Sequence, residues 1–137
     1  MIQCINNKNK ITMIKEAYCS YEVSKLLKEK GFAAPCNSWY IPCNNGSVKT
    51  GMLTELVNYN HYDGFPWTVS RSTHQMALAW LREMHNIFII VNPYSNTNCY
   101  FCLWQGDNYY ENPLKKNFPS YEETVEAALK YCLENLI

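Results

Sequence analysis

The sequence predicts an α+β fold with a mainly antiparallel sheet and helices packed on one face of it. Three segments repeat apolar residues at helical spacing, and β-prone runs bounded by turn residues lie between them. The expected element order is α-β-β-α-β-β-α. The 137 residues are enough for one sizeable core, so we expect one domain over residues 18–137. An N-terminal extension of residues 1–17 precedes it and need not be fully ordered.

The first helix is predicted over residues 20–30. Ser20 can accept a hydrogen bond from an amide of the first turn. Gly31 can adopt the left-handed conformation that ends a helix, and Phe32 can then fold back on the last turn. The apolar stripe of this helix consists of Cys19, Val23, Leu26 and Leu27.

A hairpin is predicted over residues 37–50, because Asn45-Gly46 lies between two β-prone runs. Pro42 cannot donate to a strand ladder, which indicates an edge strand or a bulge. The next residues are harder to assign. Residues 53–57 fit a strand or a helical turn, and residues 58–67 fit a long aromatic loop.

The second helix is predicted to begin at Ser72, with Gln75 completing a capping box, and to end at His85-Asn86. Its predicted core stripe is Met76, Ala77, Trp80, Leu81 and Met84. The unbroken apolar run 87–91 then predicts a strand that is covered on both faces. Residues 98–105 predict its antiparallel partner, and residues 109–111 a further short strand.

The third helix follows a second capping box, formed by Ser120 and Glu123. Its apolar residues recur at helical spacing, which predicts a helix with one buried face. They are Val125, Ala128, Leu129, Cys132, Leu133 and Leu136.

The charge balance excludes several classes of function. Twelve basic and twelve acidic residues give a net charge of zero, which argues against non-specific nucleic-acid binding. The longest apolar run, 87–91, is far too short to span a membrane, so no membrane partner is expected. Residues 1–10 do not resemble a secretory signal. We therefore expect a cytoplasmic protein.

The chain has seven cysteines, which we expect to be free thiols in a reducing compartment. No cofactor is expected on this interpretation. The alternative is a small zinc-binding module, because two pairs of cysteines have spacings of six and two residues between them. Its ligands would be Cys36, Cys43, Cys99 and Cys102.

The histidines match no catalytic motif, so no catalytic residue is assigned and the protein is expected not to be an enzyme. His85 is placed to interact with the carbonyl end of its helix, which is a structural role. A small enzyme that uses His85 with Glu83 or Arg82 remains the alternative.

The aromatic loop has the composition of a binding surface, because rigid rings supply contact area at a low cost in entropy. The same rings could instead cover the open side of a small sheet. The candidate binding residues are Tyr59, His61, Tyr62, Phe65, Trp67 and Arg71.

Three segments carry a resemblance to other proteins: residues 28–36, residues 76–87 and residues 121–123 at the start of the last helix. The most specific part is Trp-Leu-Arg-Glu-x-His-Asn at residues 80–86. With these segments, the chain resembles a group of small uncharacterised proteins from gut-bacterial, Bacteroides-type genomes and their phages and prophages. The resemblance implies a phage or prophage setting and carries no activity.

The preferred hypothesis is a non-enzymatic phage-type accessory protein. It would bind a protein partner, with self-association first among the possibilities. The contact would use the aromatic surface around residues 59–71 or an exposed sheet face.

Overall fold

The computed structural model describes the backbone of residues 2–5 and 11–137 and the side chains from Lys15 onward. The other residues of the N-terminal extension, and the Cys4 thiol, lie outside the described residues. The strands are β1 (Ile2–Ile5), β2 (Ile11–Ile14), β3 (Cys36–Pro42), β4 (Val48–Val57), β5 (Val69–Ser70), β6 (Ile87–Pro93), β7 (Cys99–Gln105) and β8 (Asn108–Glu111). The helices are α1 (Tyr21–Glu29), α2 (His74–His85), α3 (Tyr121–Asn135) and a short 3-10 helix (Tyr59–His61).

The α+β class, the antiparallel pairing and the predicted order of elements are confirmed. The strands of the domain divide into two three-stranded sheets, with orders β4-β3-β5 and β6-β7-β8. Strands β1 and β2 pair with each other as an antiparallel ribbon. Strand β5 has only two residues, and it pairs with the middle of β3, where Trp39 lies opposite Ser70.

Helix α1 begins and ends as predicted, and helix α3 begins as predicted. The Ser20 hydroxyl accepts a hydrogen bond from the Val23 amide at 3.2 Å, and the Ser120 hydroxyl accepts one from the Glu123 amide at 3.1 Å. Gly31 has a φ of +91° at the end of α1. The Phe32 amide then donates to the Leu27 carbonyl at 2.9 Å, which satisfies a carbonyl that the helix leaves open.

The predicted start of α2 is wrong by one residue. Thr73, not Ser72, caps this helix, and its hydroxyl accepts from the Met76 amide at 3.1 Å. Ser72 is fully buried and lies 3.4 Å from the Cys19 thiol, so its hydroxyl is engaged with another segment of the chain. Met84 also departs from the predicted stripe, because 67% of it is exposed, and Leu78 is buried instead.

The β3–β4 hairpin forms as predicted but with a longer turn. Five residues, 43–47, connect the strands, and only Gly46 of the Asn45-Gly46 pair has a positive φ. The Asn45 side chain accepts a hydrogen bond from the Ser47 amide at 3.0 Å. Strand β4 continues to Val57, so residues 53–57 are a strand and not a helical turn.

The prediction that residues 87–91 are covered on both faces is wrong. One face of the β6-β7-β8 sheet packs against the helices and contributes the buried Ile87, Phe101 and Leu103. The other face leaves Phe88 and Ile90 exposed by 46% and 41%. The difference arises because the helices lie on one side of this sheet, and the described side chains leave the other side open.

The core lies between the helices and the inner face of this sheet. Five apolar residues of α3 are completely buried, which confirms most of the predicted stripe: Val125, Ala128, Leu129, Cys132 and Leu133. Trp80 packs edge-on against Phe32, with ring centres 5.6 Å apart. Within the described residues, no helix has the length and hydropathy to cross a membrane.

Candidate functional site

Five rings form a continuous row beside the β4-β3-β5 sheet, and the row extends from the core to the surface. We call this row the aromatic strip, and its members in order are Trp39, Tyr59, Tyr62, Phe65 and Trp67. The first two ring centres are 4.9 Å apart, and each later pair is 5.6 Å apart. These separations are typical of interacting aromatic pairs. The structure therefore brings together four of the six predicted binding residues and adds Trp39.

Polar contacts hold the loop that carries the strip. Asn60 anchors the loop through two side-chain hydrogen bonds. Its side-chain amide donates to the Phe32 carbonyl at 2.8 Å, and its side-chain oxygen accepts from the Ser70 amide at 2.7 Å. The Lys28 ammonium donates to the carbonyls of Pro66 and Thr68, at 2.6 and 2.9 Å. The rings are thus presented by an ordered segment.

The aromatic strip borders a shallow groove of about 220 Å³. The groove is lined by Trp39, Ile41, Leu53, Tyr59, Tyr62, Phe65 and Thr68. Tyr62, Phe65 and Trp67 are 42%, 48% and 50% exposed, whereas Tyr59 is buried. The sequence left two roles open for these rings, a cover for the sheet and a binding surface, and the strip contains both. Tyr59 covers the core, and the later rings present an open apolar surface.

Tyr59 has a polar atom that is not satisfied within the protein. Its hydroxyl is buried and has no hydrogen-bond partner among the described residues. Burial raises the pKa of Tyr59, and the nearby Tyr62, Glu55 and Cys36 add to the increase. The hydroxyl is therefore a neutral, buried group that a molecule on the surface of the groove does not reach in this conformation.

Gly51 lets Trp39 lie against the sheet. The two residues are opposite each other in the β3–β4 pair. A Cβ atom at Gly51 would overlap the six-membered ring of the Trp39 indole. The first ring of the aromatic strip therefore lies directly over the backbone of β4, and only glycine permits this approach.

Strand β4 is an edge of its sheet and pairs with β3 alone among the described strands. Three apolar side chains of β4 are largely exposed: Met52 by 55%, Leu53 by 51% and Leu56 by 65%. A long edge strand with exposed apolar residues offers both backbone hydrogen-bonding groups and apolar surface to another chain. This edge adjoins the groove, because Leu53 belongs to both.

The other two predicted binding residues are not part of the strip. His61 ends the short 3-10 helix and is exposed to solvent. Arg71 points elsewhere: its guanidinium lies 4.0 Å from the centre of the Tyr18 ring and donates to the Ser38 hydroxyl at 3.3 Å. Arg71 therefore stabilises the junction of the extension with the first sheet.

A second cluster of functional side chains lies inside the protein, where the starts of α1 and α2 meet α3. The potential ligand atoms of Cys19, His74 and Glu126 all lie within 4.8 Å of one another. His74 Nε2 and a Glu126 carboxylate oxygen are 2.9 Å apart, and the same oxygen accepts from the Ser20 amide at 2.8 Å. We call these three residues the Cys-His-Glu cluster.

The pKa values of Cys19 and Glu126 are shifted in opposite directions. Burial raises the pKa of the Cys19 thiol to about 12, and the hydrogen bond with Ser72 offsets this only in part. For Glu126, burial acts to raise the pKa, but hydrogen bonds from His74 and Ser20 outweigh it and the pKa falls. The cluster thus contains a protonated thiol beside a carboxylate.

A thiol, an imidazole and a carboxylate can serve as a nucleophilic triad or as metal ligands. Cys19 is fully buried, and its thiol contacts Ser72 and the Thr73 carbonyl instead of the imidazole. In this arrangement a substrate cannot reach the sulfur. The cluster is therefore better suited to holding an ion than to attacking a substrate.

The four cysteines of the predicted zinc alternative are not brought together. Cys36 and Cys43 lie in and just after β3, whereas Cys99 and Cys102 lie in β7 of the other sheet. Within the part of the chain that the structure describes, the Cys-His-Glu cluster is the group with metal-ligand geometry. His85, from the enzyme alternative, stacks edge-on against Trp80 at 4.7 Å.

Sequence reasoning missed the Cys-His-Glu cluster because its members are 55 and 52 residues apart in the chain. Cys19 fitted the apolar stripe of α1, and His74 fell inside a predicted helix that was assigned no special role. One signal was available: Cys19 and His74 stand next to predicted helix starts. Helix starts that converge bring such residues together, but the sequence does not show that they converge.

No protein-family model matches the chain, and no curated protein or solved structure matches it. Function is therefore inferred from the geometry of the surface and of the cluster described above.

Proposed function

We propose that the protein is a non-enzymatic accessory protein that binds a protein chain through the aromatic strip and the edge of β4. Its first partner is a second copy of itself. The setting proposed for it is a phage or prophage in the cytoplasm of a bacterial host, as the resemblance of residues 80–86 implies.

The open groove along the aromatic strip is the observation that carries this proposal. Its rim exposes Tyr62 and Phe65 by 42% and 48%, on a loop that hydrogen bonds hold in place. Rigid rings on an ordered loop lose little entropy on binding, which is why aromatic residues dominate protein interfaces.

The charge of the groove favours a protein partner over a nucleic acid. None of the seven residues that line it is basic. Stacking on single-stranded nucleic acid uses similar rings, but it combines them with a cationic groove that follows the phosphates. The zero net charge of the chain provides no long-range substitute for that groove.

The edge strand favours a second copy as the partner. Two β4 strands can pair antiparallel about a two-fold axis at Met52, which is the symmetric arrangement that most dimers use. Lys49 and Glu55 are equally distant from Met52 along the strand, so this register places Lys49 of each copy opposite Glu55 of the other. Opposite charges directly across an antiparallel pair stabilise it, and a slipped register would lose both contacts.

The test is sedimentation equilibrium over a range of protein concentrations. We expect a monomer–dimer equilibrium in the wild type and a shift to monomer in Leu53→Glu, since this change buries a charge in the interface. Met84→Glu is the control, because Met84 is also an exposed apolar residue but lies on α2, away from the β4 edge. A wild type that is monomeric at every concentration would contradict self-association.

A charge exchange tests the register of the proposed β4 pair. Lys49→Glu and Glu55→Lys should each weaken the dimer, because each creates two like-charge contacts across the pair. The double variant should regain most of the wild-type association. If both single variants associate as strongly as the wild type, the Met52-centred register is wrong even if a dimer forms.

A further inference from the structure

We infer that Cys19, His74 and Glu126 form a binding site for one divalent transition-metal ion, of which zinc fits best. This inference is independent of the proposed function, since the cluster is inside the protein and the aromatic strip is on its surface.

The ligand types are those that zinc prefers. Thiolate sulfur, imidazole nitrogen and carboxylate oxygen all occur in its sites, and three protein ligands leave a fourth position for water. A thiolate and a carboxylate also supply two negative charges, which neutralise a divalent ion in a site with little solvent. Binding replaces the proton on Cys19 Sγ with the metal and releases that proton to solvent, and the proton that His74 Nε2 donates to Glu126 moves to Nδ1, so that the Nε2 lone pair can bind the ion.

The distances fit this use of the residues. The three ligand atoms lie within 4.8 Å of one another, and His74 Nε2 is 2.9 Å from the carboxylate oxygen of Glu126. Two ligands of a tetrahedral zinc ion are separated by roughly 3.3 Å, as bond lengths of about 2.0 Å require. Small side-chain adjustments would therefore admit the ion: His74 and Glu126 must separate slightly, and any pair of ligand atoms near the 4.8 Å limit must approach.

One nitrogen of the His74 imidazole has no hydrogen-bond partner among the described residues. The His74 side chain is 5% exposed. The unpaired nitrogen is Nδ1, which is buried. Nδ1 and Nε2 point away from different sides of the ring, so Nε2 is the nitrogen that faces Glu126 and would bind the ion, while the unpaired Nδ1 can carry the ring proton.

Backbone contacts hold the ligands in place before an ion binds. The Cys19 amide donates to the Ser72 carbonyl at 2.9 Å, and the His74 amide donates to the Ala17 carbonyl at 2.9 Å. These two bonds join the segments before α1 and α2, while Glu126 is held by the Ser20 amide. Glu126 is partly exposed, at 27% of its side chain, which provides a route for an ion and for a bound water.

Cobalt(II) titration of metal-stripped protein tests the inference, because cobalt occupies zinc sites and reports its ligands by absorption. The expected result is saturation at one ion per chain, with a thiolate-to-cobalt charge-transfer band and the visible bands of tetrahedral cobalt. Zinc should then displace the cobalt and abolish both. Wild-type protein that shows no thiolate band at saturating cobalt overturns the inference without any variant.

Variants identify the ligands. Cys19→Ser should remove the charge-transfer band, and Glu126→Gln should weaken cobalt binding at least tenfold. Cys36→Ser and Cys99→Ser are the matched thiol controls, and Glu22→Gln is the matched carboxylate control. These controls should bind cobalt like the wild type. A band that persists in folded Cys19→Ser, as judged by circular dichroism, or disappears in a thiol control, would overturn the assignment.

Discussion

Gly51 sets the position of the first ring of the aromatic strip. Any side chain there must displace the Trp39 indole, because its Cβ would overlap the ring. We expect Gly51→Ala to lower the free energy of unfolding by about 1–3 kcal/mol, the usual cost of overpacking. Chemical denaturation measures this. The neighbouring exposed Thr50→Ala should change it by no more than about 0.5 kcal/mol, and equal effects would contradict the close approach.

The thiols differ in their ionisation and therefore in their reactivity. Burial raises the pKa of Cys19 and Cys132 to about 12 and that of Cys36 to about 11. Since the thiolate is the nucleophile, these three should react very slowly with iodoacetamide at mildly alkaline pH. The partly exposed Cys43 and Cys99 should react first.

Peptide mass spectrometry of briefly alkylated native protein measures this order. Unfolded protein is the control, and all the described thiols should react alike in it. Early modification of Cys19 in native protein would show that the Cys-His-Glu cluster is open to solvent.

The N-cap of α2 is a feature that the sequence alone could not decide. Ser72 and Thr73 are equally good helix caps by type, and the sequence favoured Ser72 because Gln75 follows it. The structure uses Thr73, because Ser72 is engaged with Cys19, 53 residues away. Local rules cannot predict a choice that a distant contact decides, and the Cys-His-Glu cluster was missed for the same reason.

At the scale of elements, the three α-helices were predictable because their signals are local. Helix α3 is the clearest case: a capping box opens it, and its stripe at 3.6-residue spacing is buried. Strand β5 was not predictable, because its two residues form a strand only through pairing with β3. Strands β6 and β7 were predicted, but an apolar run alone does not say how many faces are covered.

The cap of α3 is testable. Ser120→Ala removes the hydroxyl that accepts from the Glu123 amide, so the free energy of unfolding should fall by about 1 kcal/mol. Ser95→Ala is the matched control, since its hydroxyl lies in an exposed loop. Equal midpoints for the two variants in urea denaturation would show that the cap contributes no more than a surface hydrogen bond.

At the scale of the whole molecule, two apolar surfaces are exposed on different sheets. One is the aromatic strip with the edge of β4, and the other is the outer face of β6-β7-β8, which includes Phe88, Ile90 and Trp104. Exposed apolar patches of this kind are common at protein interfaces. The strip is the better candidate, because it combines a groove, an unpaired edge and complementary charges in one place.

The choice between these two surfaces can be measured by mutation. Phe88→Glu alters the outer face of the second sheet, and Leu53→Glu alters the β4 edge, at similar exposure. We expect only Leu53→Glu to dissociate the proposed dimer in sedimentation. Dissociation by Phe88→Glu alone would move the interface to the second sheet, and the aromatic strip would then lose its proposed role.

Hydrogen–deuterium exchange at low and high protein concentration tests the central claim most directly, because it reports association and its location together. The account predicts that amides of residues 48–57 exchange more slowly at high concentration, as new β4 hydrogen bonds form. Amides of residues 87–105 should show no such change. Exchange of residues 48–57 that does not depend on concentration, or protection confined to residues 87–111, would contradict the claim.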